Sequence, residues 1–338
     1  MGGCTGISSN NLKSVGYVVD YADNAASEKW GAYLFNHLSR RTEKAGLLLH
    51  KEANKNFKSV IINVDSTLDY DYCIEHTNNK IDLKAKDEKT ILWLIYQFMK
   101  LLGDCDDRFV ANDLPPAIIN CNTCYRNFDF KYREPFFRPN LDEDYSGIIG
   151  SNMVDRDWGL WGHNLAKVLK KDDYDSIYAK KDGWVDTEQY CFSSDEIFNQ
   201  IKTYILNNFG NGGNYAQRFM IMPADNTTVC TCDKCKQNGN TEDNATPAVS
   251  FLINRLAKEY PLHTFFTSIY LTTKTPPEYK LPENTGVIIS TIDLPKGVEL
   301  SPKQKDVKSF LADIEEWKSR TANIYIWDYA ANFDDYFT

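Results

Sequence analysis

Ile91, Leu94, Ile95, Phe98 and Leu102 fall at i, i+3, i+4, i+7 and i+11, the spacing of one buried helix face. Asp87 stands where an N-cap belongs and Gly103 where a helix stops. A second helix is predicted near Ala25 to Arg41, with Ala26, Trp30, Tyr33, Leu34 and Leu38 on one face. Strand-like runs flank these helices: Ser14 to Asp20, Val60 to Asp65, and Asp71 to Glu75 with Lys80 to Lys84 about a His76-Thr77-Asn78-Asn79 turn. Residues 1–12 are expected to be a flexible N-terminus, and residues 13–107 a small α/β domain with a mixed sheet.

Beyond the polar connector Asp104 to Arg108 the pattern changes, and apolar strand-like runs alternate with helical ones. The strands expected are Asn127 to Arg133, Val154 to Trp161, Arg218 to Met222, Thr264 to Tyr270, Gly286 to Ile292 and Asn323 to Tyr329. Helices are expected at His163 to Lys171, Ser194 to Phe209, Thr246 to Glu259 and Lys303 to Arg320. About six βα steps favour a TIM-like (β/α) barrel over residues 108–338 rather than an open sheet. No helix follows the last strand, so the barrel is expected to be incomplete at its C-terminal end.

The 338 residues are 42% hydrophobic, 13% aromatic and 25% charged, a balance that excludes a disordered chain. The net charge of −9, with no Lys/Arg block, excludes the electrostatic footprint of a nucleic-acid binder. The longest apolar run, Ile91 to Tyr96, falls far short of the roughly 20 residues that a membrane-crossing helix needs. Gly3-Cys4 suits the processed end of a bacterial lipoprotein, in which case a lipid on Cys4 would be the one link to a membrane. The other reading is an incidental Cys in a disordered end. Nine cysteines are many for a reducing cytosol, so an extracytoplasmic location, periplasm or cell surface, is expected.

The most distinctive motif is Cys230-Thr231-Cys232-Asp233-Lys234-Cys235. Three thiolates at this spacing, with Cys191 or a His as a fourth ligand, could hold zinc; disulfides are the favoured reading, and free thiols a third. No other cofactor is expected. Asp142 to Gly147 imitates the start of a calcium loop, but Met153 stands where the bidentate Glu is required, so calcium is excluded. GxSxG, Walker A, HExxH and GxGxxG are all absent. What remains is a set of polar and aromatic residues at predicted strand ends: Tyr132-Arg133-Glu134, Trp161 to Asn164, Asp225-Asn226, Tyr270, Asp293 and Trp327-Asp328-Tyr329. A barrel brings strand ends to one mouth, where aromatic faces pack on sugar rings and carboxyl groups supply acid and base.

Along these residues the chain resembles known families. Its opening, VVDYADNAASEKWGAYLFNHLSRRT followed by KIDLKAKDEKTILWLIYQFMKLLG, is similar to the N-terminal α/β domain that precedes the barrel in glycoside hydrolase family 20 and in alpha-glucuronidases. The remainder resembles a bacterial domain-of-unknown-function family, number 4838. The residues that carry this second resemblance are Tyr132-Arg133-Glu134, Gly162-His163-Asn164, Gln189-Tyr190-Cys191, Asp225-Asn226 with the CxCxxC, Tyr270 with Thr275-Pro276-Pro277, and Ile324 to Tyr329 with Asn332-Phe333. The resemblance implies a carbohydrate-active protein outside the cytoplasm. A family 20 hexosaminidase carries adjacent Asp-Glu after a barrel strand, but here Asp225 is followed by Asn226.

Together these readings lead to the expectation of a glycoside hydrolase-like protein acting on poly- or oligosaccharide through a carboxylate and aromatic site at the barrel mouth. Glu134, Asp225 and Asp328 are its expected catalytic carboxylates, and Arg133, His163, Asn164, Asn226, Tyr270, Trp327 and Tyr329 its expected binding residues. The alternative is a non-catalytic carbohydrate-binding surface lipoprotein with the same aromatic mouth.

Overall fold

The structure, a computed structural model, describes residues 10–11, 17–39, 47–48, 58–77, 80–101, 118–119, 123–170, 174–213 and 215–329. Cys4, the expected break near residue 108 and the Asn332-Phe333 motif lie outside the described residues. The chain divides into two compact units, Met1–Met153 and Val154–Thr338.

The first unit is built on strands β1 (Tyr17–Tyr21), β2 (Leu47–Leu48), β3 (Lys58–Val64), β4 (Tyr72–Thr77), β5 (Lys80–Ala85) and β6 (Cys124–Arg126). They form one mixed sheet in the order β2-β1-β3-β5-β4-β6. Pairs among β1, β2, β3 and β5 are parallel, whereas β4 runs antiparallel to β5 and β6. Helices α1 (Ala25–Ser39) and α2 (Glu88–Leu101) pack on this sheet and on each other. The stripe read from the sequence is the buried one: Ile91, Leu94, Ile95 and Phe98 of α2 meet Leu34 of α1 and Val60, Ile62, Ile81 and Leu83 of the strands. Asp87 caps α2, its carboxylate accepting from Thr90 N at 2.7 Å.

The strand expected at Asn127 to Arg133 is instead the three-residue β6, which adds to the first sheet beside β4. Too short to show an alternating pattern, it ties the following segment to the first unit. That segment includes α3 (Glu143–Ile149), which Asp142 caps by accepting from Tyr145 N; the acidic run is a helix start and not a calcium loop. Gly147 and Gly150 let it approach α2, since a Cβ at either would lie 2.6 Å from Leu92 or Trp93.

The second unit contains β7 (Trp158–Leu160), a hairpin of β8 (Tyr178–Lys181) and β9 (Trp184–Tyr190), then α4 (Asp195–Phe209), β10 (Arg218–Met220), α5 (Asp233–Gln237), α6 (Thr246–Glu259), β11 (Thr264–Ile269), β12 (Thr285–Ser290), α7 (Lys305–Lys318) and β13 (Asn323–Trp327). Its main sheet is wholly parallel, in the order β13-β12-β11-β10-β7. Each strand pairs with the one before it in the sheet's chain order, as in a (β/α) barrel and unlike a doubly wound sheet, whose order reverses. Among the described residues the five strands do not close. The helix expected at His163 to Lys171 is, over its described residues, a single 3-10 turn, Leu165–Lys167, and the β8–β9 hairpin is not among the expected strands.

Burial on both faces explains why β11 and β12 carry no charged residue. Phe219 and Phe265 pack with Ile197, Ile201 and Ile205 of α4 and with Val249, Leu252 and Ile253 of α6. Ile269, Val287 and Ile289 pack with Trp317 of α7. The alternate residues, among them Phe266 and Ile288, belong to the opposite face, where the Phe266 ring lies 5.2 Å from Trp158 and 4.7 Å from Tyr325. A Cβ on Gly286 would stand 2.3 Å from Phe266 and 2.8 Å from the Asn323 carbonyl oxygen. Gly286→Ala should therefore lower stability by about 1–3 kcal/mol, read as a fall in the denaturation midpoint.

Buried His263 accepts from Gln217 N at Nδ1 (3.0 Å), which leaves Nε2 to donate to the Gly210 carbonyl (3.2 Å). Burial holds the imidazole below its ordinary 6.5, with the Gly210 hydrogen bond partly opposing. The unfolded chain thus takes up a proton that the folded one resists. This contribution to stability is complete above the unfolded value and is lost as pH falls below it. Denaturation midpoints should drop between about pH 7 and pH 5.5, with a smaller drop in His263→Gln, even if that variant is less stable overall.

Candidate functional site

The parallel strands all exit at one edge of the sheet, and a cavity of about 150 Å³ opens there. Its lining follows the strand period of two: Met220 and Met222 from β10 and its continuation, Ser268 and Tyr270 from β11, Ile288, Ser290 and Ile292 from β12, Trp327 and Tyr329 from β13. His163 and Asp225 complete it from the loops after β7 and β10.

Trp327 and Tyr329 are stacked, with ring centroids 6.1 Å apart and planes within 5°. Trp161 continues the platform, its ring 5.0 Å from Trp327, and Trp158 lies 4.5 Å behind it. Thr291 fixes the exit of β13: its hydroxyl donates to Asp328 Oδ1 (2.7 Å) and accepts from Tyr329 N (3.0 Å), while Thr291 N donates to the Trp327 carbonyl (3.0 Å). His163 Nδ1 lies 2.7 Å from the Pro223 carbonyl and must donate to it, so the lone pair of the neutral ring sits on Nε2. The same contact joins the loops after β7 and β10.

The polar groups of the cavity are electrostatically linked. Burial raises the Tyr270 hydroxyl above its usual value, and the charge of Asp225 and a hydrogen bond with it add to the rise. Burial and then the Asp225 charge act in the same direction on Tyr329. Both phenols therefore stay protonated, able to donate toward a carboxylate or a ligand oxygen. Leu271, directly after Tyr270, holds φ at 44°, a left-handed conformation that costs a non-glycine residue about 1–3 kcal/mol. Hydrogen bonds from Thr273 N and Oγ1 to the Tyr270 carbonyl, each 2.9 Å, hold this turn.

Of the residues singled out in the sequence, Asp225, His163, Tyr270, Trp327 and Tyr329 line the cavity. The others are not among the lining residues. Asp328 is exposed and bonded to Thr291. Asn164 donates to the Trp161 carbonyl (2.6 Å). The Asn226 amide holds its own loop: Oδ1 accepts from Gln189 Nε2 (3.0 Å) and Thr228 N (3.0 Å), and Nδ2 donates to the Glu188 carbonyl (2.8 Å). Tyr132-Arg133-Glu134 does not end a strand of the parallel sheet, but follows β6 in the first unit. There the Arg133 guanidinium lies 3.7 Å from the Phe128 ring centre and donates to the Phe130 and Gly150 carbonyls, and Glu134 accepts from the Tyr132 hydroxyl. Met220, Met222, Ser268, Ile288, Ser290 and Ile292 were not singled out; the alternate-residue count back from Tyr270, Trp327 and Asp225 was their signal.

Gln189 is buried and grips the Asp225 loop from both sides, donating to Asn226 Oδ1 and accepting from Ala224 N (3.0 Å). Just after it, Cys191 meets Cys230, Cys232 and Cys235. Its Sγ lies 3.7 Å from those of Cys232 and Cys235, and all four sulfurs lie within 4.8 Å of one another. The disulfides favoured from the sequence are absent, because a disulfide needs about 2.05 Å; among the described residues these cysteines are free thiols. Hydrogen bonds from Cys191 and Cys235 hold the Cys230 thiol well below its usual value, and the bond with Cys230 raises Cys191.

The profile of the family described as "Domain of unknown function (DUF4838)" matches residues 118–338. No curated protein matches the chain. Among solved structures, the chain is similar to a beta-N-acetylhexosaminidase from Bacteroides fragilis, with a TM-score of 0.52 at 10% identity over 94% of this chain and 71% of that one. A family 20 beta-N-acetylhexosaminidase from Streptomyces coelicolor A3(2) gives a TM-score of 0.53 at 11% identity, covering 96% of this chain and 72% of that one. A Flavobacterium johnsoniae chitobiase gives 0.52 at 12% identity, over 96% and 57%. At these identities the likeness is one of fold.

Gln189→Ala removes the buried clamp on the Asp225 loop. It should cost about 1–3 kcal/mol and speed hydrogen exchange at Ala224 and Thr228 while leaving β11 and β12 protected.

Proposed function

The chain belongs to the DUF4838 family, and from that membership and the cavity at its strand ends we propose a glycosidase-like protein that acts on poly- or oligosaccharide. The observation that carries the reading is the stacked Trp327–Tyr329 platform beside Asp225, Tyr270 and His163 in one cavity. A cavity of about 150 Å³ accepts a six-membered ring. Aromatic faces take the C–H side of a sugar, and a carboxylate, a phenol and an imidazole take its hydroxyls. The likeness in fold to hexosaminidases supports a saccharide as the ligand class.

In this reading Asp225 is the acid–base carboxylate and Tyr270 its hydrogen-bond partner, with Asp328 or Asp293 supplying the second carboxyl group that hydrolysis through a pair requires. The acetamido-assisted route of an adjacent Asp-Glu pair is not the one proposed, since Asn226 occupies the second position and spends its amide on Gln189 and Glu188. A second reading, a carbohydrate-binding protein without turnover, is favoured by one observation: Asp225 is the one carboxylate among the residues lining the cavity. A surface or periplasmic location, with or without lipid on Cys4, goes with either reading as part of the proposal.

The test is calorimetric binding and reducing-end release on a panel of oligosaccharides and aryl glycosides with the full chain. Trp327→Ala should weaken binding about tenfold or more, and Asp225→Asn should abolish release while leaving binding within a few-fold. Binding without release favours the second reading. No saccharide bound at millimolar concentration, or binding that ignores Trp327→Ala, would sink both.

A further inference from the structure

The four-cysteine cluster lies outside the cavity and has no part in the chemistry just proposed. We propose that Cys191, Cys230, Cys232 and Cys235 form a closed structural zinc site that staples the end of the β8–β9 hairpin to the loop following Asp225. Whether the cavity binds a sugar does not bear on it.

Distances are the first argument. In a tetrahedron with Zn–S bonds of about 2.3 Å the sulfurs stand about 3.8 Å apart. Cys191 Sγ lies 3.7 Å from two of its partners, and no pair among the four exceeds 4.8 Å. The cluster thus sits close to the size of an occupied site, and well beyond the length of a disulfide.

Placement is the second argument. Cys191, Cys230 and Cys235 are 8%, 3% and 0% exposed, so the fold takes three thiols out of water and aims them at one point together with Cys232. The backbone is arranged to hold charge on sulfur: Lys180 N donates to Cys230 Sγ at 3.3 Å. Asn240 fastens the loop from behind, its side chain donating to the Cys230 carbonyl (3.0 Å) and its N–H to that of Cys235 (3.0 Å). Lys180 N–H and carbonyl both contact the cysteine loop, the latter accepting from Thr231 N at 2.8 Å. The ligands therefore come from two segments far apart in sequence that are already joined by backbone hydrogen bonds.

Chemistry selects the ion. Four sulfur donors without an oxygen exclude magnesium and calcium, and tetrahedral all-thiolate sites suit zinc. With four protein ligands no coordination position is left for water or substrate, so the ion would be structural and not catalytic. CxCxxC supplies three of these ligands, and of the two fourth ligands read from the sequence, Cys191 or a His, the hairpin delivers Cys191.

The test is the metal content of the full chain purified under reducing conditions, followed by cobalt exchange. About one zinc per chain and a cobalt spectrum of tetrahedral thiolate coordination are expected. Cys235→Ser and Cys191→Ser should each lose the metal, whereas Cys73→Ser, at a free thiol in the first unit, should keep it. If the ligand variants fail to fold, the wild-type stoichiometry and cobalt spectrum still decide. Less than a tenth of an equivalent of zinc, both as purified and after reconstitution with zinc, would overturn the proposal, as would stoichiometric iron or disulfides mapped among the four cysteines.

Discussion

Parallel pairing in chain order is the constraint on which the second unit depends. Because each strand of the main sheet bonds to its predecessor and runs the same way, every connection must leave at one edge and return at the other. Residues from His163 to Tyr329 are thereby brought together without any of the intervening helices contributing a side chain to the cavity. The helices work from the opposite face, where α4, α6 and α7 bury the alternate residues of the same strands.

That constraint alone would leave the strand-end loops loose, and the structure fastens them with polar side chains. Gln189 donates from the end of β9 to Asn226 in the loop after β10, His163 joins that loop to the one after β7 through the Pro223 carbonyl, and Thr291 holds Asp328 and the Tyr329 backbone with one hydroxyl. Each of these groups is of a type that could serve a ligand directly. In the folded chain three of them, Gln189, Asn226 and Thr291, serve the loops, while His163 keeps one ring nitrogen for the cavity.

Much of this was legible in the sequence, for physical reasons that differ by element. α2 was readable because its apolar stripe and its Asp87 cap are local signals, and β11 and β12 because burial on both faces leaves them without a charged residue and centred on Phe265-Phe266 and Val287 to Ile289. The aromatic and polar strand ends were readable because a parallel sheet gathers them. β6 was misplaced, since three residues carry no period, and Tyr132-Arg133-Glu134 moved with it into the first unit. The hairpin β8–β9 was missed because its second strand, led by Trp184 at 81% exposure, carries a polar Gln189 as its one fully buried residue and so shows no apolar alternation. With the hairpin unseen, the Gln189 clamp could not be read, and Cys191 stood only as one of two choices for the fourth ligand.

The strand order also bears on how the chain reaches this arrangement. The crossover from Ile269 to Thr285 is the shortest in the sheet and that from Leu160 to Arg218 the longest, carrying the hairpin and α4 within it. Loop-closure entropy rises with such length, so β11 and β12 can zip early, whereas docking of β7 must wait for a large excursion to be put in order. A nascent chain, which emits β7 first, would hold that strand without a partner until β10 emerges, and this interval is when the molecule is most open to misassociation.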